Sequence, residues 1–184
     1  GAYGDAGLIV TNDDALAATA RSICNHGQGK TYYHDLIGVN SRLDSIQAAI
    51  LRIKLRHMLE WNAARNKAAQ LYDFHFSSTS IAPPYRAADC THIFHQYSIR
   101  VPRRELVTAY LKEQGIPFMI YYPVPLHLQP AYKQYGGKVG DFPITEKVAQ
   151  EIVSLPMHSE LTEDQIAFIA RTVIEATETV ETPA

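Results

Sequence analysis

Residues 38–50, GVNSRLDSIQAAI, indicate the fold of this 184-residue chain more clearly than any other stretch. A turn that contains glycine leads into Leu43, Ile46 and Ile50, apolar residues whose spacing of three and four is typical of one face of a helix. The chain then continues without Gly or Pro, and we predict one long helix over residues 42–74. A helix of this length is suited to linking two structural units.

Residues 1–10, GAYGDAGLIV, form the second informative block. Their glycines predict turns, and the apolar residues that follow predict a short buried strand over residues 8–11. The chain does not start with Met and has no leader or helix before this block. We therefore expect it to be the C-terminal part of a larger protein, with some of its chemistry upstream of Gly1.

Local patterns predict the remaining elements. Asp13 and its neighbours supply oxygens that can cap a helix over residues 15–23. Residues 31–40 show no periodicity and are predicted to be a loop, and residues 77–84 resemble a linker. Beyond the linker the patterns predict a strand at 94–101, a helix at 103–114, a strand at 117–122 and helices at 145–154 and 162–178.

These elements predict the α/β class and a domain boundary near residue 78. Residues 1–77 would be the remnant of a larger domain together with the long linking helix, and residues 78–184 a small α+β domain. The last helix should begin with a capping box, because Thr162 and Gln165 are three residues apart and can bond each other's backbone N–H groups.

Composition excludes several classes of protein. The net charge of −2 provides no bulk attraction to nucleic acid. No apolar run approaches the roughly 18 residues of a membrane span. Cys24 and Cys90 do not form a CxxC pair and are too few for a disulfide framework, which favours reduced thiols and the cytoplasm.

Two motifs look like known sites but lack the required pattern. Residues 29–31, GKT, resemble the end of a phosphate-binding P-loop, but the motif's first glycine is replaced by Cys24 and the segment follows a helix. His92 and His95 are three residues apart, and on a strand their side chains point to opposite faces. A shared zinc ion at these histidines is therefore not expected.

Asn40 and Arg42 precede the long helix at a turn, where backbone N–H groups and their own side chains could bind a phosphate or a carboxylate. Spacing alone favours a capped helix with an exposed Arg42 over such a site. Farther along, Tyr121, Tyr122 and His127 lie on a proline-stiffened segment that could line a pocket for a sugar or nucleotide. The same residues could instead pack at a domain interface.

Seven blocks of the sequence together resemble the DegT/DnrJ/StrS family of sugar aminotransferases. In order they are GAYGDAGLIVTNDDALA, NHGQ, YYHDLIGVNSRLDSIQAAIL, HQYSIRV, GIPFMIYYPVPLHLQPAY, GDFPITEKVA and LPMHSELTEDQI. The resemblance implies the fold type I architecture of transferases that depend on pyridoxal 5'-phosphate (PLP), with this chain as the C-terminal part.

The resemblance also implies a function. Family members transfer an amino group, typically from glutamate, to a nucleotide-linked keto-sugar that feeds polysaccharide or lipopolysaccharide synthesis. Their PLP-binding lysine stands a few residues before the GAYGDAG-like block. We therefore expect that lysine upstream of Gly1, assign no catalytic residue to this chain, and expect the chain alone to be inactive.

Residue roles follow from the same resemblance. The family's active sites lie at a homodimer interface, where Asn40 would hydrogen-bond the PLP phosphate of the other subunit and Arg42 would face a phosphate or carboxylate of the substrate. Tyr121, Tyr122 and His127 would contact the substrate, although relatives often carry His at the position of Tyr121.

Two other functions remain open. A sugar dehydratase of the same family would carry His in place of the missing lysine. A non-catalytic dimer scaffold would bind a sugar nucleotide or a regulatory partner without PLP.

Overall fold

The computed structural model describes residues 1–181 of the chain. These residues form two compact units, one of residues 1–58 and one that begins at Leu59. The predicted boundary near residue 78 concerns the domains of the whole protein and stays a prediction. Among residues 1–181, no helix combines the length and the apolar character that a membrane crossing requires.

The first unit contains two helices and a small hairpin. Helix α1, Asp14–Cys24, begins where Asp13 Oδ1 accepts the N–H groups of Ala15 and Leu16 at 2.9 and 3.0 Å, as the capping prediction required. Strands β1, Gln28–Lys30, and β2, Tyr33–His34, pair antiparallel. Helix α2, Ser45–Lys54, is followed by a single 3-10 turn, Leu55–His57.

The strand predicted over residues 8–11 is wrong. Within the described first unit this segment joins no sheet, and the side chains of Leu8 and Val10 are 86% and 85% exposed. An apolar run becomes a strand only when neighbouring backbone satisfies its N–H and C=O groups, and residues 1–58 provide none there. The predicted loop at residues 31–40 is also partly wrong, because it contains β2.

The long helix predicted over residues 42–74 occurs as two helices. Helix α2 starts at Ser45, since Asp44 still has an extended backbone with φ −64° and ψ 144°. Beyond the 3-10 turn, helix α3, Met58–Phe76, continues slightly past the predicted end. The absence of Gly and Pro correctly indicated helical structure, but the tightened turn at Leu55–His57 has no sequence signal of that kind.

The second unit packs helices against an antiparallel pair of strands. Strand β3, Tyr97–Arg100, pairs with β4, Ile152–Leu155, and single bridges join Ala82 to Arg100 and Met119 to Ser154. The helices are α3, α4 (Arg104–Glu113), α5 (Pro143–Glu151) and α6 (Glu163–Glu181). The predicted linker at residues 77–84 contributes to this unit, because Ile81 is buried.

Several predictions for the second unit are confirmed. Strand β3 and helix α4 lie within the predicted ranges. The capping box is present: Thr162 N–H donates to Gln165 Oε1 at 2.9 Å, and Gln165 N–H donates to Thr162 Oγ1 at 3.2 Å. Two predictions fail in part. The helix predicted over 145–154 ends at Glu151, where β4 begins, and the strand predicted over 117–122 pairs only at Met119.

The core of the second unit is built on aromatic rings. Tyr72 on α3 stacks on Tyr97 of β3 with ring centroids 4.8 Å apart, and Phe76 and Phe94 complete the group. All four side chains are fully buried. The core continues between α4 and α6 through buried aliphatic side chains: Val107, Leu111, Ile166, Ala170 and Val173.

Replacing Leu111 by Ala tests this core. Leu111 on α4 is fully buried, and its truncation should lower the free energy of unfolding by about 3 kcal/mol through lost burial and the cavity left behind. Leu106→Ala on the same helix is the matched control, because Leu106 is 53% exposed and should lose about 0.5 kcal/mol or less. Urea unfolding measures both variants. Equal losses would contradict the described packing of α4.

Candidate functional site

The turn that carries Asn40 is bonded to the end of α1. Val39 N–H donates to Ile23 O at 2.8 Å, and Ser41 N–H donates to Cys24 O at 2.9 Å. These bonds satisfy carbonyl groups that have no partner within the last turn of a helix. The position of Asn40 is therefore set by backbone bonds on both sides of it.

Two glycines allow this close approach. A Cβ atom on Gly38 would lie 2.1 Å from Gly27 N and 2.5 Å from Ile23 O. Gly27 itself has φ +74°, and a Cβ atom there would lie 1.7 Å from Leu36 O. Neither position has room for a side chain, so we call this backbone contact between Gly27 and Gly38 the glycine clasp.

The side chains of Asn40 and Arg42 are both exposed and close together along the chain, just after the glycine clasp. Helix α2 starts only at Ser45, so the two residues lie on the segment before the helix rather than in its first turn. An anion held here would depend mainly on the amide of Asn40 and the guanidinium of Arg42, and less on the helix dipole.

Tyr121 lines a cavity of about 290 Å³ in the second unit. Tyr122, its exposed neighbour, lies edge-on to it with ring centroids 5.6 Å apart, and the peptide bond between the two is cis. The cavity combines apolar walls with a few polar side chains, as small-molecule sites usually do. Its other lining residues include His95, Gln96, Met119, Ser154 and Met157.

Helix α3 holds the walls of this cavity in place. Arg65 Nη1 donates to Met157 O at 2.8 Å and to Phe94 O at 3.3 Å. The Tyr72 hydroxyl donates to Pro156 O at 3.1 Å. The bonds from Arg65 are charge-assisted and therefore stronger than neutral ones. The guanidinium of Arg65 thus joins the segment before β3 firmly to the segment after β4.

His127 lies in different surroundings from the two tyrosines. Its side chain is only 12% exposed, its Nε2 is 3.0 Å from Glu146 Oε1, and its ring lies edge-on to Phe142 at 4.8 Å. Gly137 packs against it so closely that a Cβ atom there would lie 2.7 Å from His127 O. His127 lines a separate cavity of about 560 Å³ together with Tyr132, Tyr135, Asp141 and Phe142.

The carboxylate of Glu146 joins several donors. Gly140 N–H donates to its two oxygens at 2.9 and 3.0 Å, and Phe142 N–H donates at 3.3 Å. Desolvation alone would raise the pKa of Glu146, but the bonds from Gly140, His127 and Phe142 outweigh it and hold that pKa below its ordinary value. Because an ionised carboxylate only accepts, His127 Nε2 carries the proton of their bond.

Sequence reasoning missed Glu146 and the close approach of Gly27 to Gly38. Residues 140–146, GDFPITE, did contain a signal, since Pro143 at a helix start followed by Glu146 in the first turn is a favourable pattern. The pattern indicates a helix start but does not show that the carboxylate reaches back to His127. Of the pair His92 and His95, His92 uses its Nδ1 to accept the N–H of Phe94 at 2.9 Å.

The fold of the chain matches solved aminotransferase structures. It superimposes on the crystal structure of DesV from S. venezuelae with a TM-score of 0.92 and 35% sequence identity, over 100% of this chain and 49% of DesV. Residues 2–174 match the DegT/DnrJ/EryC1/StrS aminotransferase family, and the chain belongs to that family. The predicted fold class and family are both confirmed. PLP is the cofactor of aminotransferases in this family, as the resemblance implied.

Curated relatives carry informative names. A Pseudomonas aeruginosa protein named UDP-2-acetamido-2-deoxy-3-oxo-D-glucuronate aminotransferase is 43% identical over 92% of this chain and 46% of its own length. A Geobacillus stearothermophilus protein named pleiotropic regulatory protein is 46% identical over 95% of this chain and 48% of its own length. The chain thus spans about half the length of the curated relatives it matches.

Replacing Gly38 by Ala tests the glycine clasp. The added methyl group meets backbone atoms, which cannot rotate away, and over-packing of this kind costs about 1–3 kcal/mol. Amide hydrogen exchange at Val39 and Ser41 should therefore accelerate by about tenfold or more. Gly7→Ala is the control, because no atom lies within 4 Å of a Cβ atom built there. Unchanged exchange in Gly38→Ala would show that the clasp does not hold this turn.

Proposed function

We propose that this chain is the C-terminal half of a PLP-dependent aminotransferase that transfers an amino group, with glutamate as donor, to a nucleotide-linked keto-sugar. The enzyme would act as a cytoplasmic homodimer with shared active sites, and its product would feed polysaccharide or lipopolysaccharide synthesis. Family membership supports the reaction class. The names of relatives that act on UDP- and dTDP-linked sugars support the substrate class.

The observation that carries the proposal is the glycine clasp. It fixes the backbone on both sides of Asn40 while the side chains of Asn40 and Arg42 remain exposed. An amide donor and a guanidinium on a fixed backbone fit a phosphate-bearing cofactor and an anionic substrate. In our proposal Asn40 binds the PLP phosphate of the partner subunit, and Arg42 binds a phosphate or carboxylate of the substrate.

The remaining site residues act on the substrate in this proposal. When bound, PLP supplies an electron sink for the carbon that gains or loses the amino group. Tyr121 forms part of a cavity wall, and the exposed Tyr122 offers a hydroxyl beside it. Both phenols can donate hydrogen bonds to sugar or phosphate oxygens. His127, which lines the separate cavity, is proposed as a weaker substrate contact, since its Nε2 is engaged with Glu146.

The DNA immediately upstream of the Gly1 codon provides the direct test. An in-frame lysine within a few codons, preceded by about half of a PLP-binding domain, is the expected result. A histidine at that position would contradict transamination and favour the dehydratase. A start or stop codon directly upstream would contradict the proposal and favour the non-catalytic scaffold.

The second candidate function is the non-catalytic scaffold. It is favoured by the name of the Geobacillus relative, pleiotropic regulatory protein. The absorbance of the purified full-length protein separates the two candidates. An aminotransferase would show PLP absorbance that changes when glutamate is added, whereas a scaffold would bind a sugar nucleotide and show no PLP absorbance.

Asn40→Ala in the full-length protein tests the proposed cofactor contact. Loss of a hydrogen bond to a charged phosphate costs about 1.5–3 kcal/mol, so PLP should bind at least about tenfold more weakly. The measurement is PLP absorbance retained after gel filtration over a series of PLP concentrations. Asn12→Ala, the same change at another exposed position, is the control. Equal PLP retention in both variants would remove Asn40 from the site.

A further inference from the structure

The segment that carries Tyr121 and Tyr122 is anchored at both of its ends. On the N-terminal side Met119 forms a two-way bridge with Ser154 of β4: Met119 N–H donates to Ser154 O at 3.1 Å, and Ser154 N–H donates to Met119 O at 2.8 Å. On the C-terminal side His127 contacts Glu146. The tyrosines lie between a bridge to the sheet and a side-chain contact.

The link between Tyr122 and His127 is stiff. Pro123 and Pro125 have φ angles restricted by their rings, and Pro125 is extended with φ −56° and ψ 142°. A 3-10 turn, Leu126–Leu128, then holds the backbone of His127. The two proline rings leave fewer torsions that can relax in this link, so we expect a shift of His127 to move Tyr122 as well.

Glu146 fixes His127 from a different part of the chain. Its side chain is 14% exposed, and its two oxygens accept from the His127 ring, Gly140 N–H and Phe142 N–H. These four residues and Gly137, which packs against the backbone of His127, form what we call the carboxylate clamp. All three donors reach Glu146 Oε1, and Gly140 N–H also reaches Oε2, so an amide side chain would turn its NH2 group toward the N–H of Gly140.

We propose that Glu146 is a positioning residue for the substrate, which acts through His127 to hold Tyr121 and Tyr122 in the orientation that binds the sugar nucleotide. The inference rests on the proposed function of these tyrosines and deepens it. Glu146 itself would touch neither substrate nor cofactor. Replacing Glu146 should therefore weaken substrate binding and leave the proposed cofactor contact of Asn40 unaffected.

The first readout is independent of activity. Amide hydrogen exchange across residues 119–128 should accelerate in Glu146→Gln, whereas exchange across α6 should match the wild type and show that the fold is intact. Glu151→Gln is the matched control on the same helix, since the carboxylate of Glu151 accepts from Arg100 Nε at 2.9 Å and not from the clamp. Unchanged exchange across residues 119–128 in Glu146→Gln would overturn the inference.

The second readout uses the full-length enzyme. Glu146→Gln should raise the KM for the sugar nucleotide by about tenfold, with less than about a twofold change in PLP retention and in the KM for glutamate. Glu146→Asp, which keeps the charge on a shorter stem, should recover part of the loss. A uniform loss of kcat without a change in KM would overturn the positioning role.

A double variant completes the test. Once His127→Asn is present, adding Glu146→Gln should raise the KM no further, because both changes break the same contact. Fully additive effects would overturn the action of Glu146 through His127. If the wild-type protein has no transaminase activity, both the proposed function and this inference are contradicted. If the wild-type protein is active and Glu146→Gln behaves like it, only this inference is contradicted.

Discussion

The stacking of Tyr72 on Tyr97 is the contact on which the second unit depends. It joins α3 to β3 inside the core, and both hydroxyls are satisfied there: Tyr72 donates to Pro156 O, and Tyr97 donates to Asp73 Oδ1 at 2.7 Å. Burial raises the pKa of both phenols, and the bond to Asp73 raises that of Tyr97 further. The neutral phenols therefore remain donors over the physiological pH range, and Arg86 neutralises the charge of Asp73.

The same contact leads directly to the candidate site. Pro156, which accepts from Tyr72, lies in the wall of the cavity that Tyr121 lines, and Arg65 on the same helix bonds the neighbouring carbonyl of Met157. The apolar stacking orders α3, and the polar groups of α3 then order the cavity wall. Polar groups that are fully bonded to backbone carbonyls add specificity to a core whose apolar contacts alone are less directional.

Sequence patterns predicted what depends on neighbours along the chain. The cap at Asp13 and the capping box at Thr162 and Gln165 are local bonds, and both are present. Strand β4 was missed because its pairing with β3, far away in sequence, outweighs a helical pattern. The contact of Glu146 with His127 spans 19 residues and two irregular segments, and no periodicity reports such a contact. Local chemistry nominated the candidate site residues, and the family resemblance gave each of them a proposed role.

The chain uses two different ways to hold its candidate binding residues. The glycine clasp holds Asn40 through backbone hydrogen bonds and through the absence of side chains at Gly27 and Gly38. It should therefore tolerate substitutions at other positions but not one that adds a Cβ atom at either glycine. The carboxylate clamp depends on one charged side chain and is sensitive to the chemistry of Glu146. A fixed backbone suits the PLP phosphate that we propose Asn40 binds, because that group has the same geometry in every member of a PLP-dependent family. A side-chain clamp can be altered by single substitutions, and so it suits the part of a site that must differ between sugar substrates.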